Sequence, residues 1–230
     1  MKLYADLQER VVVHTDTLAW QEAPMAGVQR RMLERDGEEV ARATSLVRYA
    51  PGSYFAAHTH GGGEEFLVLD GIFSDGQGDY GAGTYVRNPV GSTHRPHSKN
   101  GCTILVKLWQ MQPQDQQRVV IDTHHARWSP GLVAGLQVMP LHTFGTEQVA
   151  LVKWAAGTTF QRHRHWGGEE IFVLDGTFVD EQGMYPAGTW LRNPSGSVHT
   201  PLSHEGCLIY VKTGHLDVVA PSVNPLGSVG

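Results

Sequence analysis

The sequence predicts an all-β protein made of two similar units in tandem. Three observations lead to this prediction. The 230-residue chain contains 27 glycines and 12 prolines, its apolar segments are short and bounded by turn-forming residues, and its second half repeats its first. Glycine and proline at this level are typical of many tight turns and would interrupt helices. Hydrophobic residues make up 40% of the chain, enough for a globular core.

The internal repeat covers almost the whole chain. Residues 46–107 align without gaps with residues 151–212, and about 36 of the 62 aligned positions are identical. Upstream, VVVHTDTLAW at 11–20 aligns with VVIDTHHARW at 119–128. The polar stretch PQDQQR at 113–118 suits a linker. We therefore predict two domains, an N-terminal one at 1–112 and a C-terminal one at 113–230.

Each unit is predicted to consist of short strands. Segments such as FLVLDGIF, TYVRN and TILVKLW are rich in β-branched and aromatic residues and end at Gly, Pro or Asp. Residues 28–49 alone would also suit an amphipathic helix, but the second copy carries a proline and a glycine there. We therefore predict a hairpin that turns near Asp36-Gly37. About a hundred residues of strands per unit indicate a sandwich, jelly roll or barrel.

Histidines carry the clearest chemical pattern. Residues 58–71 read HTHGGGEEFLVLDG and residues 163–176 read HRHWGGEEIFVLDG. Alternate side chains of a strand share a face, so the two histidines of each HxH pair point the same way. A third histidine follows later in each half. Three imidazoles and one carboxylate suit a divalent first-row metal ion. The candidate ligands are His58, His60, Glu64 and His94, and His163, His165, Glu169 and His199.

The repeat itself supports metal binding over incidental histidines. All four candidate ligands persist in both halves, whereas Thr59 is replaced by Arg164 and Gly61 by Trp166. Four protein ligands leave open positions on a five- or six-coordinate ion, which is typical of a reactive or ligand-binding site. Residue types do not identify the metal: zinc is our first choice, with iron, manganese or nickel as alternatives, at up to two ions per chain.

The spacing of these residues resembles the two motifs of the cupin superfamily. The first motif matches Gly52, His58, His60, Glu64 and Gly71, the second matches Gly83, Pro89, Gly91 and His94, and both recur from Gly157 to His199. Serines stand where the second motif usually ends in asparagine, at Ser98 and Ser203. The resemblance implies a bicupin, two jelly-roll β-barrels in one chain, each with a site of three histidines and one glutamate.

Each half has a second glutamate next to the candidate ligand, at Glu65 and Glu170. Strand alternation places neighbouring side chains on opposite faces, and the spacing to Gly71 in the cupin motif selects Glu64. We expect Glu65 and Glu170 to be surface or inter-sheet ion-pair residues.

Four further residues are also repeated, and for each we favour a structural role over a functional one. We expect Arg87 and Arg192 to pair with carboxylates within the fold rather than bind an anionic ligand. We expect the repeated cysteines, Cys102 and Cys207, to be buried thiols. The histidines that differ between the halves are expected to be non-ligands: His97, His124, His125, His142, His204 and His215.

Both halves carry GGEE, LDG, AG, RNP and GC in the same order. In this pattern the sequence is similar to the cupin domain of ChrR-type anti-sigma factors. This resemblance implies a sensory or regulatory protein linked to the oxidative stress response, with a small molecule or oxidant as the ligand at the metal. A metal-dependent dioxygenase or isomerase acting on a small oxygenated substrate remains the alternative. The anti-sigma proteins also carry an N-terminal helical zinc-binding domain, which this sequence lacks. We therefore do not expect direct sigma-factor binding.

Composition argues against several other classes. The net charge of -5 does not favour nucleic acid or an anionic membrane. The sequence has no apolar run long enough for a transmembrane helix, and its N-terminus does not resemble a secretory signal. Two cysteines suit a reducing cytoplasm. We expect a cytoplasmic protein, with a homodimer favoured by exposed edge strands.

Overall fold

The computed structural model describes residues 1–217. The regular secondary structure of these residues is β-strand, apart from one short 3-10 turn at Thr15–Thr17, so the predicted all-β class is confirmed. They group into two compact units. The first contains Met1–Ala5 and Trp20–Asp122, and the second contains Asp6–Ala19 and the described residues from Thr123 onward. Within the described part, no helix has the length and apolar character needed to cross a membrane.

The first unit is built on one large antiparallel sheet with the strand order β1-β4-β5-β13-β8-β10-β14. Four pairings of short strands, with each other or with β8, accompany this sheet. Its strands, numbered along the chain, are β1 Lys2–Leu3, β3 Gln21–Glu22, β4 Val28–Gly37, β5 Ala41–Tyr49, β6 Ser53–Tyr54, β7 His58–Thr59, β8 Glu64–Asp75, β9 Gly78–Gly81, β10 Thr84–Asn88, β11 Thr93–His94, β12 His97–Ser98, β13 Cys102–Leu108 and β14 Val119–Asp122.

The second unit repeats this arrangement, with the strand order β15-β16-β17-β25-β20-β22-β2. Its strands are β2 Val11–His14, β15 Ser129–Pro130, β16 Leu136–Phe144, β17 Glu147–Trp154, β18 Thr158–Thr159, β19 His163–Arg164, β20 Glu169–Asp180, β21 Gly183–Pro186, β22 Thr189–Asn193, β23 Val198–His199, β24 Leu202–Ser203 and β25 Cys207–Thr213.

The predicted hairpin over residues 28–49 is confirmed. Strands β4 and β5 pair in antiparallel register from Val28 opposite Tyr49 to Gly37 opposite Ala41, and the chain turns over residues 38–40. A bulge interrupts the register between Met32 and Glu34. The equivalent hairpin of the second unit, β16–β17, turns over Gly145 and Thr146 alone. Compared with the first unit, the second hairpin is one residue shorter in its turn and one residue shorter in each strand.

The outer strand of each main sheet comes from an unexpected part of the chain. Strand β14 pairs with β10 in the first unit, although its residues follow the predicted linker. Strand β2, near the N-terminus, pairs with β22 in the second unit. The compact units therefore differ from the predicted division at residues 112 and 113: residues 6–19 belong to the second unit and 113–122 to the first. The repeat pattern identifies these two strands as equivalents, but not the sheet edge that each joins.

Each unit has its own hydrophobic core between the layers of its jelly roll. In the first, Phe66 and Phe73 pack with their ring centroids 4.6 Å apart. In the second, Trp154 packs edge-on against Phe178 at 5.7 Å. Gly71 lies where β8 bends, with φ +73°, and a Cβ there would lie 2.1 Å from the carbonyl oxygen of Gly101. Only glycine fits so close an approach of two backbones.

Candidate metal centres

Two short strands and the start of β8 bring the first set of candidate ligands together. Strands β7 and β11 pair so that His58 lies directly opposite His94. His60 follows β7 on the same side, and Glu64 is the first residue of β8. The ligand atoms of these four residues all lie within 4.8 Å of one another. His60, Glu64 and His94 are buried and His58 is half-buried.

The Nε2 atoms of the three imidazoles face the centre of this first cluster. The Nε2 atoms of His60 and His58 are 3.2 Å apart, and those of His60 and His94 each lie 3.5 Å from Glu64 Oε2. His94 Nε2 is buried and, apart from this approach of Glu64, has no hydrogen-bond partner among residues 1–217. A buried polar atom without a partner is costly, so this nitrogen fits a role as a ligand to a bound cation.

Neutral imidazoles are required for metal binding, and burial favours them here. Burial, together with the nearby His58, lowers the pKa of His60 to about 4. Burial also lowers the pKa of His94, although the charge of Glu64 opposes that shift. Charge on an imidazole is costly in a low-dielectric site. Both rings are therefore neutral at neutral pH, and each has one unprotonated nitrogen that can bind a metal ion.

Hydrogen bonds on the outer side of the cluster orient its members. His58 Nδ1 donates to the Ala56 carbonyl oxygen at 2.8 Å, which leaves Nε2 unprotonated in the neutral ring. His94 Nδ1 lies 3.1 Å from Asp75 Oδ2. Asn88 Nδ2 donates to Glu64 Oε2 at 3.0 Å. Such outer contacts fix the tautomer and direction of metal ligands in proteins.

The second unit repeats the three-histidine cluster. Strands β19 and β23 pair with His163 opposite His199, and ligand atoms of His163, His165 and His199 lie within 4.8 Å of one another. The Nε2 atoms of His165 and His199 are 2.9 Å apart. Glu169 does not join the group defined by that distance, but its carboxylate oxygens lie 3.4 Å from His165 Nε2 and 3.7 Å from His199 Nε2.

The outer contacts of the second cluster are similar but looser at one point. Asn193 Nδ2 donates to Glu169 Oε2 at 3.0 Å, as in the first unit. Asp180 Oδ2 lies 3.6 Å from His199 Nδ1. Burial lowers the pKa of His199, but its interactions with Asp180 and Glu169 outweigh burial, so that its pKa is raised. The two clusters therefore differ in the protonation that their third histidine favours when no metal is bound.

The family model of the ChrR cupin-like domain matches residues 8–112 and, a second time, residues 116–217. The chain belongs to the ChrR cupin-like domain family. The predicted resemblance and the predicted fold, two cupin domains in tandem, are both confirmed. No curated protein sequence matches this chain.

Several solved structures share the fold of this chain. A proposed dioxygenase from Nostoc punctiforme is 14% identical, with a TM-score of 0.73 over 93% of this chain and 86% of that one. A proposed glyoxylate-induced protein from Pseudomonas aeruginosa is 13% identical, with a TM-score of 0.74 over 94% and 92%. A deletion mutant of Bacillus subtilis oxalate decarboxylase is 13% identical, with a TM-score of 0.56 over 88% and 76%. At these identities the likeness concerns the fold alone.

The glutamate next to each candidate ligand has a structural partner. Glu65 forms a buried ion pair with Arg87, whose guanidinium also reaches Asp115 Oδ2 at 2.7 Å. Glu170 Oε2 lies 3.0 Å from His215 Nε2. The prediction that Glu65 forms an ion pair is confirmed, but the pair joins neighbouring strands of one sheet instead of two sheets, since Glu65 on β8 lies directly opposite Arg87 on β10. The surface alternative is wrong, since the Glu65 and Glu170 side chains are almost fully buried.

The carboxylate pairing predicted for Arg87 and the buried thiols predicted at both cysteines are confirmed, whereas carboxylate pairing of Arg192 stays a prediction. Arg87 pairs with carboxylates inside the fold, as expected. Arg192 donates to the backbone oxygens of Asp6 and Glu9. Cys102 and Cys207 are free and buried, and burial raises the pKa of both thiols to about 11. Among the described residues, neither histidine cluster includes any of the histidines predicted to be non-ligands.

Sequence reasoning missed the residues that hold the ligands from outside. Asp75 and Asn88 contact His94 and Glu64, and Asp180 and Asn193 occupy the same places in the second domain. A signal was available, because both residue types persist at equivalent positions in the two halves. Only the closed jelly roll shows which ligand each one contacts.

A cavity of about 450 Å³ opens onto the first cluster. Apolar residues of β4, β5 and β13 line one side of it. His58, His60 and Glu64 line it on the metal side. A small molecule of ordinary size fits a cavity of this volume. The first cluster is therefore accessible to a ligand from inside its own barrel.

Proposed function

We propose that this chain is a metal-binding sensory or regulatory bicupin linked to the oxidative stress response, with one mononuclear site of three histidines and one glutamate in each domain. The observation that carries the proposal is the convergence of four ligand atoms within 4.8 Å in the first domain. The match of both halves to the ChrR cupin-like family supports a regulatory role.

The donor set fits a divalent first-row ion. Three imidazoles and one carboxylate suit zinc first, and also iron, manganese or nickel. His58, His60, Glu64 and His94 would hold one ion, and His163, His165, Glu169 and His199 a second. A bound ion would supply Lewis acidity and open coordination positions.

The surrounding residues prepare each ligand for this role. Asp75 accepts the Nδ1 proton of His94, so that Nε2 keeps its lone pair toward the site. Asn88 holds one oxygen of Glu64 in place. Because Glu64 and two of the histidines are buried, bulk water reaches the site mainly from the cavity side. A small molecule or oxidant would reach the site from that side.

Metal content by element and stoichiometry, measured on protein purified from its native host, is the direct test. Two ions per chain are expected. Replacing His58 and His60 by Ala should remove one ion and leave the other, whereas His97→Ala, at an exposed histidine of the same domain, should remove none. Protein without bound metal, or two ions retained after the double replacement, would overturn the metal assignment.

The regulatory role is tested in cells. Deleting the gene should change transcription under singlet oxygen or an organic hydroperoxide, and the chain with His58 and His60 replaced by Ala should fail to restore it. An unchanged stress response in the deletion strain would argue strongly against a sensory role. This outcome would leave the metal assignment intact, because that is measured separately.

The cavity favours a second function, a metal-dependent dioxygenase or isomerase for a small oxygenated substrate. A substrate in the 450 Å³ cavity would lie beside His58 and His60. One solved structure of the same fold is described as a proposed dioxygenase, but fold alone does not decide chemistry. Oxygen uptake by iron-loaded protein with diketones or hydroxyketones tests this function. Persistent zinc occupancy without turnover would exclude it.

The cellular setting belongs to the same proposal. We infer a cytoplasmic protein that forms a homodimer and binds neither nucleic acid nor membranes. Light scattering of the purified chain tests the dimer, since a monomer mass at micromolar concentration would contradict it. Fractionation of host cells tests the location.

A further inference from the structure

The inner wall of the first-domain cavity carries two arginines among apolar side chains. Arg30 lies on β4 two residues after Val28, on the same face of the strand and directly opposite Val47 of β5. Arg35 follows after the β4 bulge. The rest of this wall is largely apolar, with Val28, Val47, Tyr49, Ile104 and Val106. A guanidinium in such a wall is costly unless an anion accompanies it.

A carboxylate of the chain itself accompanies Arg30. Arg30 Nη2 donates to Glu39 Oε1 at 2.8 Å, and Nη1 donates to Oε2 at 3.2 Å. The Glu39 side chain is 58% exposed, whereas that of Arg30 is 19% exposed. Among the described residues, Arg30 Nε has no hydrogen-bond partner. The contact shows that Arg30 can hold a carboxylate through two hydrogen bonds at this point of the cavity wall. Because the Glu39 side chain is largely exposed, its carboxylate can return to solvent at little cost.

Arg35 has a different role from Arg30. It donates to the carbonyl oxygens of Glu38 and Glu39, which ties the turn of the β4–β5 hairpin to the cavity wall. Burial, and next the charge of Arg30, lower the pKa of Arg35. The wall therefore carries two mutually repelling cations, of which only Arg30 offers its donors to a carboxylate.

The second domain lacks this charged wall. In the aligned hairpins, Val138 occupies the place of Arg30: Arg30 pairs with Gln21 and Val138 with Ser129 at equivalent register positions. Thr143 occupies the place of Arg35. The turn that carries Glu39 has three residues, and its counterpart in the second domain has two. The jelly roll therefore forms without these arginines, and their presence in the first domain needs another explanation.

We propose that the cavity of the first domain binds amphipathic monocarboxylates, with the apolar body along the wall and the carboxylate on Arg30 in place of Glu39. Exchanging one carboxylate for another keeps Arg30 paired, so the guest does not have to bury a new charge. A neutral guest would gain only the apolar contacts. The far end of the guest reaches His58 and His60, and only this contact depends on the proposed metal site.

Isothermal titration of the full chain with octanoate, and with 1-octanol as the uncharged match, tests the proposal. Octanoate should bind about tenfold more tightly than 1-octanol, because its carboxylate meets Arg30 inside the cavity, where the contact is stronger than that of the 58% exposed Glu39 side chain that it replaces. Arg30→Val installs the residue that the second domain carries at this position. It should weaken octanoate about tenfold and leave 1-octanol unchanged.

Two further variants sharpen the test. Glu39→Gln removes the competing carboxylate and should tighten octanoate binding several-fold, which a merely structural role of the Arg30–Glu39 pair does not predict. Arg48→Val, on the outer face of β5, is the matched control and should leave the affinity for octanoate unchanged.

The proposal is overturned if octanoate does not bind, if it binds no better than 1-octanol, or if Arg30→Val leaves its affinity unchanged. Thermal unfolding of each variant checks the fold. Metal analysis of the same preparations separates the two ideas. Arg30-dependent octanoate binding in a metal-free chain would support the carboxylate site and refute the metal site. Two bound ions without octanoate binding would support the metal sites and refute the carboxylate site.

Discussion

Replacing Asp75 by Asn should weaken the first metal site through the tautomer of His94. Asp75 Oδ2 lies 3.1 Å from His94 Nδ1 and accepts its proton. An amide NH₂ at this place donates instead, and it favours the ring form that carries its proton on Nε2, the atom that faces the site. The turn below stays supported, because the oxygen of Asn can still accept from the backbone N–H groups of Gln77 and Gly78.

The expected loss follows from this one contact. A hydrogen bond to a charged group contributes about 1.5–3 kcal/mol, and each 1.4 kcal/mol is about tenfold in affinity. Loss of an outer partner of a metal-ligating histidine typically costs about 10–100-fold in metal affinity. We therefore expect Asp75→Asn to lower zinc affinity at the first site by about 10–100-fold.

The measurement needs one site at a time. Zinc affinity is determined by competition with a chromophoric chelator, in a chain whose second site is removed by His163→Ala and His165→Ala. Asp79→Asn is the matched control, because it makes the same charge change at an exposed position of the same hairpin. The reasoning is refuted if Asp75→Asn changes zinc affinity less than threefold, or if Asp79→Asn weakens it equally.

Three further predictions concern the fold that holds the site. Arg87→Ala leaves its two buried carboxylate partners uncompensated and should lower the free energy of unfolding by about 3–5 kcal/mol; a loss below 1 kcal/mol in urea unfolding would contradict this. Burial raises the pKa of Cys102 and Cys207 to about 11, so the reactive thiolate is scarce at pH 8. Ellman's reagent should label neither thiol in native protein and both after unfolding. Gly71→Ala brings Cβ against a backbone oxygen, whereas Gly52→Ala, also at positive φ, meets nothing. Gly71→Ala should lower the free energy of unfolding by about 2 kcal/mol more than Gly52→Ala does. Equal losses in the two variants would count against the steric argument.

Patterns in short stretches of sequence predicted the strands and the candidate ligands. The HxH pairs follow from strand alternation, and their repetition separates them from incidental histidines. The β4–β5 hairpin followed from comparing the two copies, because Pro140 and Gly145 in the second copy exclude a helix. These inferences succeeded because each depends on residues close in sequence or on the alignment of the copies.

The neighbours of the ligands could not be predicted in this way. Asp75 and His94 lie 19 residues apart in the chain and meet only because β8 and β11 come together in the closed barrel. Glu65 was assigned to either the surface or an ion pair, and only burial beside Arg87 decided between them. Strand alternation gives the face of a side chain but not what covers that face.

The sequence by itself determined the all-β class, the duplication, the two sets of candidate ligands and the choice of Glu64 over Glu65. Only the tertiary structure decided that β2 and β14 complete sheets across the predicted boundary, and that a cavity with Arg30 in its wall adjoins the first site. The physical reason is the range of the interactions. Strand periodicity and turn preference act between near neighbours, whereas edge pairing and cavity shape depend on contacts between residues far apart in the chain.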